Sequence, residues 1–502
     1  MSRDANSSAD AVEPIAGSDR GVLRGTAVFA AASVAQRGLA FLLLPLYAAV
    51  LTPIEYGQVG VVTAVSAAAG MILGFGLETA VFRSKVLFST DRSEAEAFVN
   101  TVGVFGIVAP VTGAIVGSIV LAPSLSDAFG VPVLALEIAI VGAALAASAT
   151  AVPLAILRAE ERLGDYLRLT AIQAFVGTAL TVLAVVVLDL GVTGWMAATT
   201  VSSAVLLIRG VMVVDHRWTP RFELRHLRDA LAYGLPLVPH AVSHWGLALS
   251  DRTVLGALAD PREVGAYYVA YQLTLPVSLI AIAVSQGIQP LYARASSSSA
   301  ARTEIAEATT HQVFVVALLA AAAAVLGPSA VALLLPPAYA AAANFVPWIA
   351  AGIGLFGMYL VPMNAVSLIA GRTRWVWPIT FVAAMVNIVA NVVLVPSFGA
   401  LAAAINTVVA YAILLGGVSL YASRMGGSGV PYQWRRIAAG VTLIVVGAGS
   451  AIMLLPVETL TALVVRSVVM LAIPAALLAS GIWSLSGGAS HDRLLPIFRR
   501  RT

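Results

Sequence analysis

Long apolar segments follow one another along almost the whole chain and are separated only by short polar turns. Hydrophobic residues make up 60% of the 502 residues and charged residues 11%, whereas an ordinary soluble domain carries about 25% charged residues. A helix needs about 20 apolar residues to cross the hydrocarbon core of a bilayer. The alternating pattern of a membrane β-strand is absent. The sequence therefore predicts an all-α polytopic membrane protein.

The apolar segments predict fourteen transmembrane helices, near residues 26–50, 57–82, 97–122, 131–157, 169–188, 193–214, 230–257, 264–292, 309–335, 343–370, 376–395, 399–422, 436–455 and 461–484. Most of the 29 Lys and Arg residues then fall in connections on one side, and Arg262 is the one basic residue in a connection on the other. Because cytoplasmic loops carry such an excess, we expect both termini in the cytoplasm and the protein in the cell (cytoplasmic or inner) membrane. The pI near 9.4 is then explained by basic residues that face the anionic inner leaflet. No nucleic-acid partner is expected.

Short motifs recur about 208 residues apart. Three pairs stand at corresponding places of the predicted topology: P-x-E-x-G at 53–57 and 261–265, Val-Pro at 152–153 and 361–362, and a turn glycine at 191 and 399. A shift by six spans preserves orientation, so the pattern predicts two pseudo-symmetric six-helix lobes with a substrate site between them.

The predicted organisation follows from this repeat. It consists of a cytoplasmic tail at 1–25, an N-lobe at 26–214, a basic cytoplasmic linker at 215–229, a C-lobe at 230–422, two further helices within 423–485 and a basic cytoplasmic tail at 486–502.

The connections on the predicted outer side are too short to hold a folded domain, so any activity must take place within the membrane. The chain has no cysteine, which excludes disulfides and cysteine-ligated metals. The cytoplasmic connections contain no nucleotide-phosphate loop. We therefore expect a transporter rather than an enzyme, with no catalytic residues, no metal site and no cofactor.

Four stretches resemble the polysaccharide flippase family of the multidrug/oligosaccharidyl-lipid/polysaccharide (MOP) exporter superfamily. They are LTPIEYGQVGVVTAV at 51–65, GFGLETAVFR at 74–83, the long stretch 235–273 around SDRTVLGAL, and NIVANVVLVPSFGALAAAINTVVAY at 387–411. The resemblance implies the two-lobed fold shared with multidrug and toxin extrusion (MATE) exporters. It also implies export of undecaprenyl-pyrophosphate-linked oligosaccharide to the outer leaflet for cell-surface polysaccharide assembly. The implied partners are this lipid-linked glycan, membrane lipids and, as candidates, glycan polymerases or glycosyltransferases.

Three alternative functions are considered beside this one. A lipid II flippase would have a similar span count. A MATE-type drug/cation antiporter would need acidic residues deep in the N-lobe, whereas this N-lobe has a deep arginine, Arg37. A membrane glycan polymerase or glycosyltransferase would need a sizeable outer loop, which the sequence lacks.

Polar residues inside the seventh span indicate a wet face, because ionised groups in hydrocarbon are costly. At 100° per residue, His240, His244 and Asp251 fall within about 40° of one helix face, and Arg252 lies about 100° further round. The functional interpretation is a cavity-lining face. The structural alternative is that Asp251 pairs with a neighbouring helix and holds the lobes together.

Other candidate residues are weighed in the same way. Arg37 lies mid-depth in the first span, and its guanidinium matches a phosphate in charge and shape, so the functional interpretation is phosphate binding. The structural alternative is an ion pair with a carboxylate such as Glu78. Glu78 and Arg83 form structural pairs or the inner mouth of the pathway. Gln286 and Asn387 are substrate-contact candidates or interhelical hydrogen-bonding groups.

Three tyrosines, Tyr267, Tyr268 and Tyr271, follow shortly after the predicted outer connection ADPRE at 259–263. Because aromatic residues are enriched where a membrane meets water, the pattern favours an interfacial aromatic belt for them.

Overall fold

A computed structural model describes residues 41–87, 92–214, 222–294, 299–424, 430, 432–454 and 459–483, and the regular structure in these ranges is helical. In the first half it contains α1 Leu44–Val50, α2 Pro53–Leu73, α3 Leu77–Leu87, α4 Arg92–Phe129, α5 Val133–Ala149, α6 Ala155–Ala159, α7 Leu163–Val182 and α8 Gly191–Val213. In the second half it contains α9 Leu224–Gly234, α10 Val238–Ala248, α11 Ser250–Leu258, α12 Pro261–Arg294, α13 Ser299–Leu334, α14 Ala342–Asn364, α15 Val376–Arg424, α16 Trp434–Leu454 and α17 Leu460–Ala479.

Shorter helical turns join or extend these helices. They are π-helical at Thr150–Leu154, Leu183–Val187 and Ala365–Ile369 and 3-10 at Leu235–Leu237 and Pro337–Tyr339. Pro153 lies inside the first π turn, and Pro362 lies three residues before the third. Proline supplies no N–H to the helical ladder, and a π turn accommodates that gap. The repeated Val-Pro motif therefore marks an irregular turn in both halves.

Eleven helical segments among the described residues are long and apolar enough to cross a membrane. Helix α15 is bent at Gly399, whose φ of 62° is not helical, and its two arms match two predicted spans. Helices α10 and α11 together lie where the seventh span is predicted, and α1 is the described end of the first. The all-α polytopic fold is confirmed, and the number of fourteen spans stays a prediction.

The sequence T-P-I-E starts α2 through a capping box. The Thr52 hydroxyl accepts a hydrogen bond from the Glu55 N–H at 3.3 Å, and the Glu55 carboxylate accepts one from the Thr52 N–H at 2.9 Å. A proline at the first helical position loses nothing there, since that N–H has no intrahelical partner. Helix α12 also begins with proline, and the Asp260 carboxylate accepts a hydrogen bond from the Arg262 N–H at 2.8 Å. Both motif copies thus start a helix.

The repeat-related glutamates make the same contact in both halves. A methyl group built on Gly191 would lie 3.3 Å from the Glu55 carboxylate, and one on Gly399 would lie 2.4 Å from the Glu263 carboxylate. The Glu263 carboxylate also accepts a hydrogen bond from the Ala400 N–H at 2.8 Å. Both glycines have positive φ, 53° and 62°, which other residues rarely adopt. The same turn therefore occurs twice, as the repeat predicts, while the lobe boundaries stay predictions.

The two halves meet at the end of the bundle that carries these turns, which we call the outer end in accordance with the predicted topology. Helices α2 and α12 cross at glycines: a methyl group on Gly57 would lie 2.8 Å from the Gly265 nitrogen, and one on Gly265 would lie 1.8 Å from the Pro53 carbonyl oxygen. The Tyr339 hydroxyl donates a hydrogen bond to the Leu51 carbonyl at 2.7 Å. Contact between repeat-equivalent residues is what a two-fold axis near this point produces. The outer end is therefore closed by direct backbone contact.

Candidate functional site

Asp251 and Arg252 lie in the short helix α11, directly after a break in the helical path. Leu249, with φ of −136°, separates α10 from α11. The two charged side chains are only 4% and 5% exposed. Buried charges within a membrane need polar partners, so the groups around them define the candidate site.

Asp251 is held by groups from its own helix and from α12. The Tyr267 hydroxyl donates a hydrogen bond to one carboxylate oxygen, and the Arg252 N–H donates one to the other at 2.8 Å. The Tyr267 oxygen also lies 3.5 Å from the Thr407 hydroxyl on α15. Asp251 thus connects three helices of the second half through Tyr267.

Arg252 lies against aromatic faces instead of a carboxylate. Its guanidinium carbon is 4.3 Å from the centre of the Tyr271 ring and 5.4 Å from that of the Tyr268 ring. Among the described residues no ion pair includes Arg252, and its Nε atom has no hydrogen-bond partner. Cation–π contacts of this kind contribute about 2 kcal/mol when desolvated, less than a buried cation requires. Arg252 is therefore a buried cation with spare hydrogen-bonding capacity.

Helix α2 of the first half covers this cluster. The Tyr268 ring lies against Gly60, where a methyl group would lie 2.8 Å from ring atom Cδ2. The indole N–H of Trp245 donates a hydrogen bond to the Ala64 carbonyl at 2.8 Å. Separation of α2 from α11 and α12 would therefore uncover the Tyr268 ring, one of the two rings over Arg252.

The expectation of one continuous face through His240, His244 and Asp251 is wrong. Both histidines are exposed, whereas Asp251 is buried. The break at Leu249 is the reason, because its backbone is not helical and the 100° periodicity therefore does not continue from His244 to Asp251. The absence of an ion pair between the side chains of Asp251 and Arg252, in the described part of the chain, agrees with their predicted divergence.

The expectation of an aromatic belt is also wrong. Tyr267, Tyr268 and Tyr271 are 0%, 7% and 7% exposed and belong to the main buried cluster. Their hydroxyl groups and ring faces are used to hold Asp251 and Arg252. A sequence places them near the outer end but does not show which way they point.

Asn387 belongs to a buried chain of amides. It accepts a hydrogen bond from Asn391 at 2.6 Å, and Asn391 accepts one from Asn406 at 2.8 Å. This chain joins the two arms of α15 across the bend at Gly399. Gln286, on α12, is half-buried and takes no part in the chain. Substrate contact by Asn387 and Gln286 stays a prediction.

The candidates for the inner mouth are in contact with neighbouring helices. Glu78 on α3 forms an ion pair with Arg158 on α6, and both side chains are partly exposed. The Arg83 guanidinium carbon lies 4.5 Å from the centre of the Tyr233 ring on α9. Arg37 lies outside the described residues, so its predicted role stays a prediction.

The sequence matches one protein-family model. Residues 22–296, more than half of the chain, match the family described as "Polysaccharide biosynthesis protein". This chain belongs to the polysaccharide biosynthesis protein family. The match confirms the resemblance inferred from the sequence motifs. No curated protein matches the chain.

Solved structures with the same fold are transporters. A lipid II flippase MurJ in an inward closed conformation is 14% identical, with 91% of this chain and 99% of that chain covered and a TM-score of 0.70. An inward-facing MATE transporter of the MOP superfamily is 16% identical, with 78% of this chain and 95% of that chain covered and a TM-score of 0.60. An outward-facing MATE transporter is also 16% identical, with 81% of this chain and 95% of that chain covered and a TM-score of 0.54. The MATE-like fold is therefore confirmed.

In this polysaccharide biosynthesis protein the family match includes Asp251, Arg252 and the tyrosines that surround them, but it ends before the amide chain of α15. Sequence reasoning identified the two charged residues because ionised side chains are costly within an apolar span and are therefore conspicuous in its sequence. It missed Tyr267 as the partner of Asp251, and Thr407 as the neighbour of the Tyr267 hydroxyl. The residue pattern of one helix does not show which neighbouring helix it contacts. The sequence therefore contains no signal for that pairing.

Proposed function

We propose that this protein flips an undecaprenyl-pyrophosphate-linked oligosaccharide from the cytoplasmic to the outer leaflet of the cell membrane, for cell-surface polysaccharide assembly. The observation that carries the proposal is membership of the polysaccharide biosynthesis protein family across residues 22–296. The transporter fold supports it, because such folds move a substrate between two lobes without covalent chemistry.

The proposed mechanism is alternating access between lobes at 26–214 and 230–422. In the described state the outer end is closed at Gly57 and Gly265. Opening of this contact would remove α2 from α12 and uncover Arg252. The guanidinium would then offer its unused donors to the pyrophosphate as it reaches the outer side. Arg37 is proposed to meet the same phosphate earlier on its path.

The direction of transport is favoured by the membrane potential. With a potential that is negative inside, moving negative charge outward is downhill by about 2.3 kcal/mol per charge per 100 mV. The proposed cytoplasmic location of both termini places the basic connections against the inner leaflet, on the side where the lipid-linked glycan would be made. Glycosyltransferases and polymerases are the proposed protein partners.

The proposal is tested in cells of the source organism that lack this gene. They should lose surface glycan and accumulate the lipid-linked oligosaccharide in a form that an impermeant glycosidase cannot reach. Wild-type protein should restore export. Arg252→Gln should reach normal abundance in the membrane but export more slowly. Normal surface glycan together with increased sensitivity to cationic drugs would contradict the proposal and favour an antiporter, and loss of lipid II export would favour that substrate.

A further inference from the structure

A cavity of about 430 Å³ is lined mainly by the first half of the chain, and its described lining does not include Asp251 or Arg252. Helices α7 and α8 form most of its described wall, and α1, α2 and α12 contribute the rest. Small-molecule sites in proteins have volumes of about 300–1,000 Å³, so this space is large enough for a specific ligand. Its lining indicates which ligand.

The polar wall consists of hydroxyl and amide groups. In the described part of the lining they are Gln173, Thr178, Thr181, Thr199, Ser202, Ser203 and Gln272. Thr181 donates its proton to the Gly177 carbonyl at 2.8 Å, and the two serines donate theirs to the Thr199 carbonyl at 2.8 and 3.0 Å. Since these protons are used within the helices, the hydroxyl oxygens face the cavity as hydrogen-bond acceptors.

Two groups on α7 are available as donors as well. Gln173 and Thr178 make no hydrogen bond to any described residue, and they lie within two helical turns of one another on the cavity side. An amide group supplies two donors and an acceptor, and a free hydroxyl supplies one donor. The cavity therefore presents donors beside acceptors, the pattern that a polyhydroxylated ligand requires.

Aromatic rings also line the cavity. Trp195 lies 4.6 Å from Tyr47 and 6.0 Å from Tyr56, measured between ring centres. The face of an aromatic ring is apolar and carries partial negative charge, so it packs well against the C–H face of a sugar ring. An aromatic wall opposite hydroxyl and amide groups suits a ligand with one apolar face and a polar rim.

The described part of the lining offers no opposite charge to a charged ligand. No described residue of the cavity wall is charged. A pyrophosphate or a drug cation would lose hydration here without gaining an opposite charge from these groups. A neutral ligand with many hydroxyl groups loses little free energy on leaving water, because hydrogen bonds to the wall replace its hydrogen bonds to water.

We propose that this cavity binds a neutral sugar unit of the transported glycan, while Arg252, which is not in the described lining, meets the phosphate. The inference rests on the proposed function in one respect, namely that the physiological ligand is a glycan. Gln272 of α12 places the cavity at the boundary with the second half, so a sugar bound there would touch both moving parts.

The test is binding of neutral sugars to purified full-length protein, measured by saturation-transfer-difference NMR with galactose, rhamnose and N-acetylglucosamine. At least one should give a signal with wild-type protein. Gln173→Leu with Thr178→Val should weaken that affinity about fivefold for each hydrogen bond removed. Thr170→Val is the matched control: Thr170 is on the same helix but bonds only to the Tyr166 and Leu167 carbonyls and is not part of the cavity. It should bind like wild type.

Inorganic pyrophosphate and tetraphenylphosphonium serve as charged probes. Neither should compete with the sugar, and neither should bind in a way that depends on Gln173 and Thr178. Unchanged sugar binding in the variants, or cavity-dependent binding of a charged probe, would overturn the inference. If the double variant does not fold, the isosteric Thr178→Val alone decides the outcome. Flipping of lipid-linked oligosaccharide by wild-type protein, measured separately, shows whether the proposed function stands when the cavity inference fails.

Discussion

The closed outer end makes a strong prediction about one methyl group. In Gly265→Ala the added Cβ would lie 1.8 Å from the Pro53 carbonyl oxygen, a backbone atom that no side-chain rotation can move. Real Cβ contacts are essentially never shorter than 3.0 Å, so the two backbones must separate by about 1.2 Å. We predict that this substitution shifts the protein from the outer-closed state towards an outer-open one.

The magnitude follows from the cost of overpacking, about 1–3 kcal/mol. The cost applies only while α2 and α12 are in contact, so it changes the ratio of closed to open protein by about 5- to 150-fold. Alanine also raises helix propensity by up to about 1 kcal/mol, in both states. Gly287→Ala on the same helix is the matched control, since a methyl group there meets nothing within 4 Å. It has the same propensity gain without the clash.

The assay is a distance measurement between spin labels. The chain contains no cysteine, so two can be introduced at exposed, repeat-related positions of the outer turns, Leu190→Cys and Phe398→Cys. Double electron–electron resonance should show more of the longer outer distance in Gly265→Ala than in wild type or Gly287→Ala. Identical distance distributions in all three would refute the assignment of this contact as the outer closure.

Three further predictions concern the candidate residues. Arg37→Ala should abolish glycan export at normal protein abundance and Arg37→Lys should restore it partly, because a point charge cannot reproduce bidentate contact; equal loss of abundance, measured by immunoblot, would indicate a structural ion pair instead. Tyr267→Phe should lower the free energy of unfolding by about 1–2 kcal/mol, because Asp251 loses a buried hydrogen-bond donor. Asp251→Asn keeps an acceptor for Tyr267 and should unfold near the wild-type temperature. Equal stability of the two variants would show that this hydrogen bond contributes nothing. Glu78→Gln should change stability by less than about 1 kcal/mol, because its ion pair with Arg158 is partly exposed, and a larger loss in a thermal unfolding assay would assign the pair a structural role.

The helical fold was predictable because membrane crossing imposes a length and an apolar composition on every span. The repeat was predictable for a related reason: the P-x-E-x-G copies start helices through local capping chemistry, and the structure brings them together at Gly57 and Gly265. The break at Leu249 was not predictable from glycine or proline, since neither is present at that position. Ser250 donates a hydrogen bond to the Gly246 carbonyl there, and a hydroxyl that bonds back to the preceding turn can bend a helix.

The candidate site was predictable in its charges and not in its contacts. Asp251 and Arg252 stand out because any ionised residue in an apolar span is costly. Their side-chain partners come from α12, with Thr407 of α15 behind Tyr267, and helix periodicity carries no information about which helices pack together. The sugar cavity left a readable trace, since Gln173, Gly177 and Thr181 are spaced by four residues along an otherwise apolar helix. That spacing places small and polar groups on one face of α7.

The most direct test of the flippase assignment is translocation in liposomes that contain only the purified protein and a fluorescent undecaprenyl-pyrophosphate oligosaccharide. An impermeant quencher added outside reports the fraction of substrate in the outer leaflet. We expect wild-type protein to exchange the substrate between leaflets faster than protein-free liposomes, with a further bias when a potassium diffusion potential is imposed. Translocation no faster than in protein-free liposomes, with folded and oriented protein, would contradict the account.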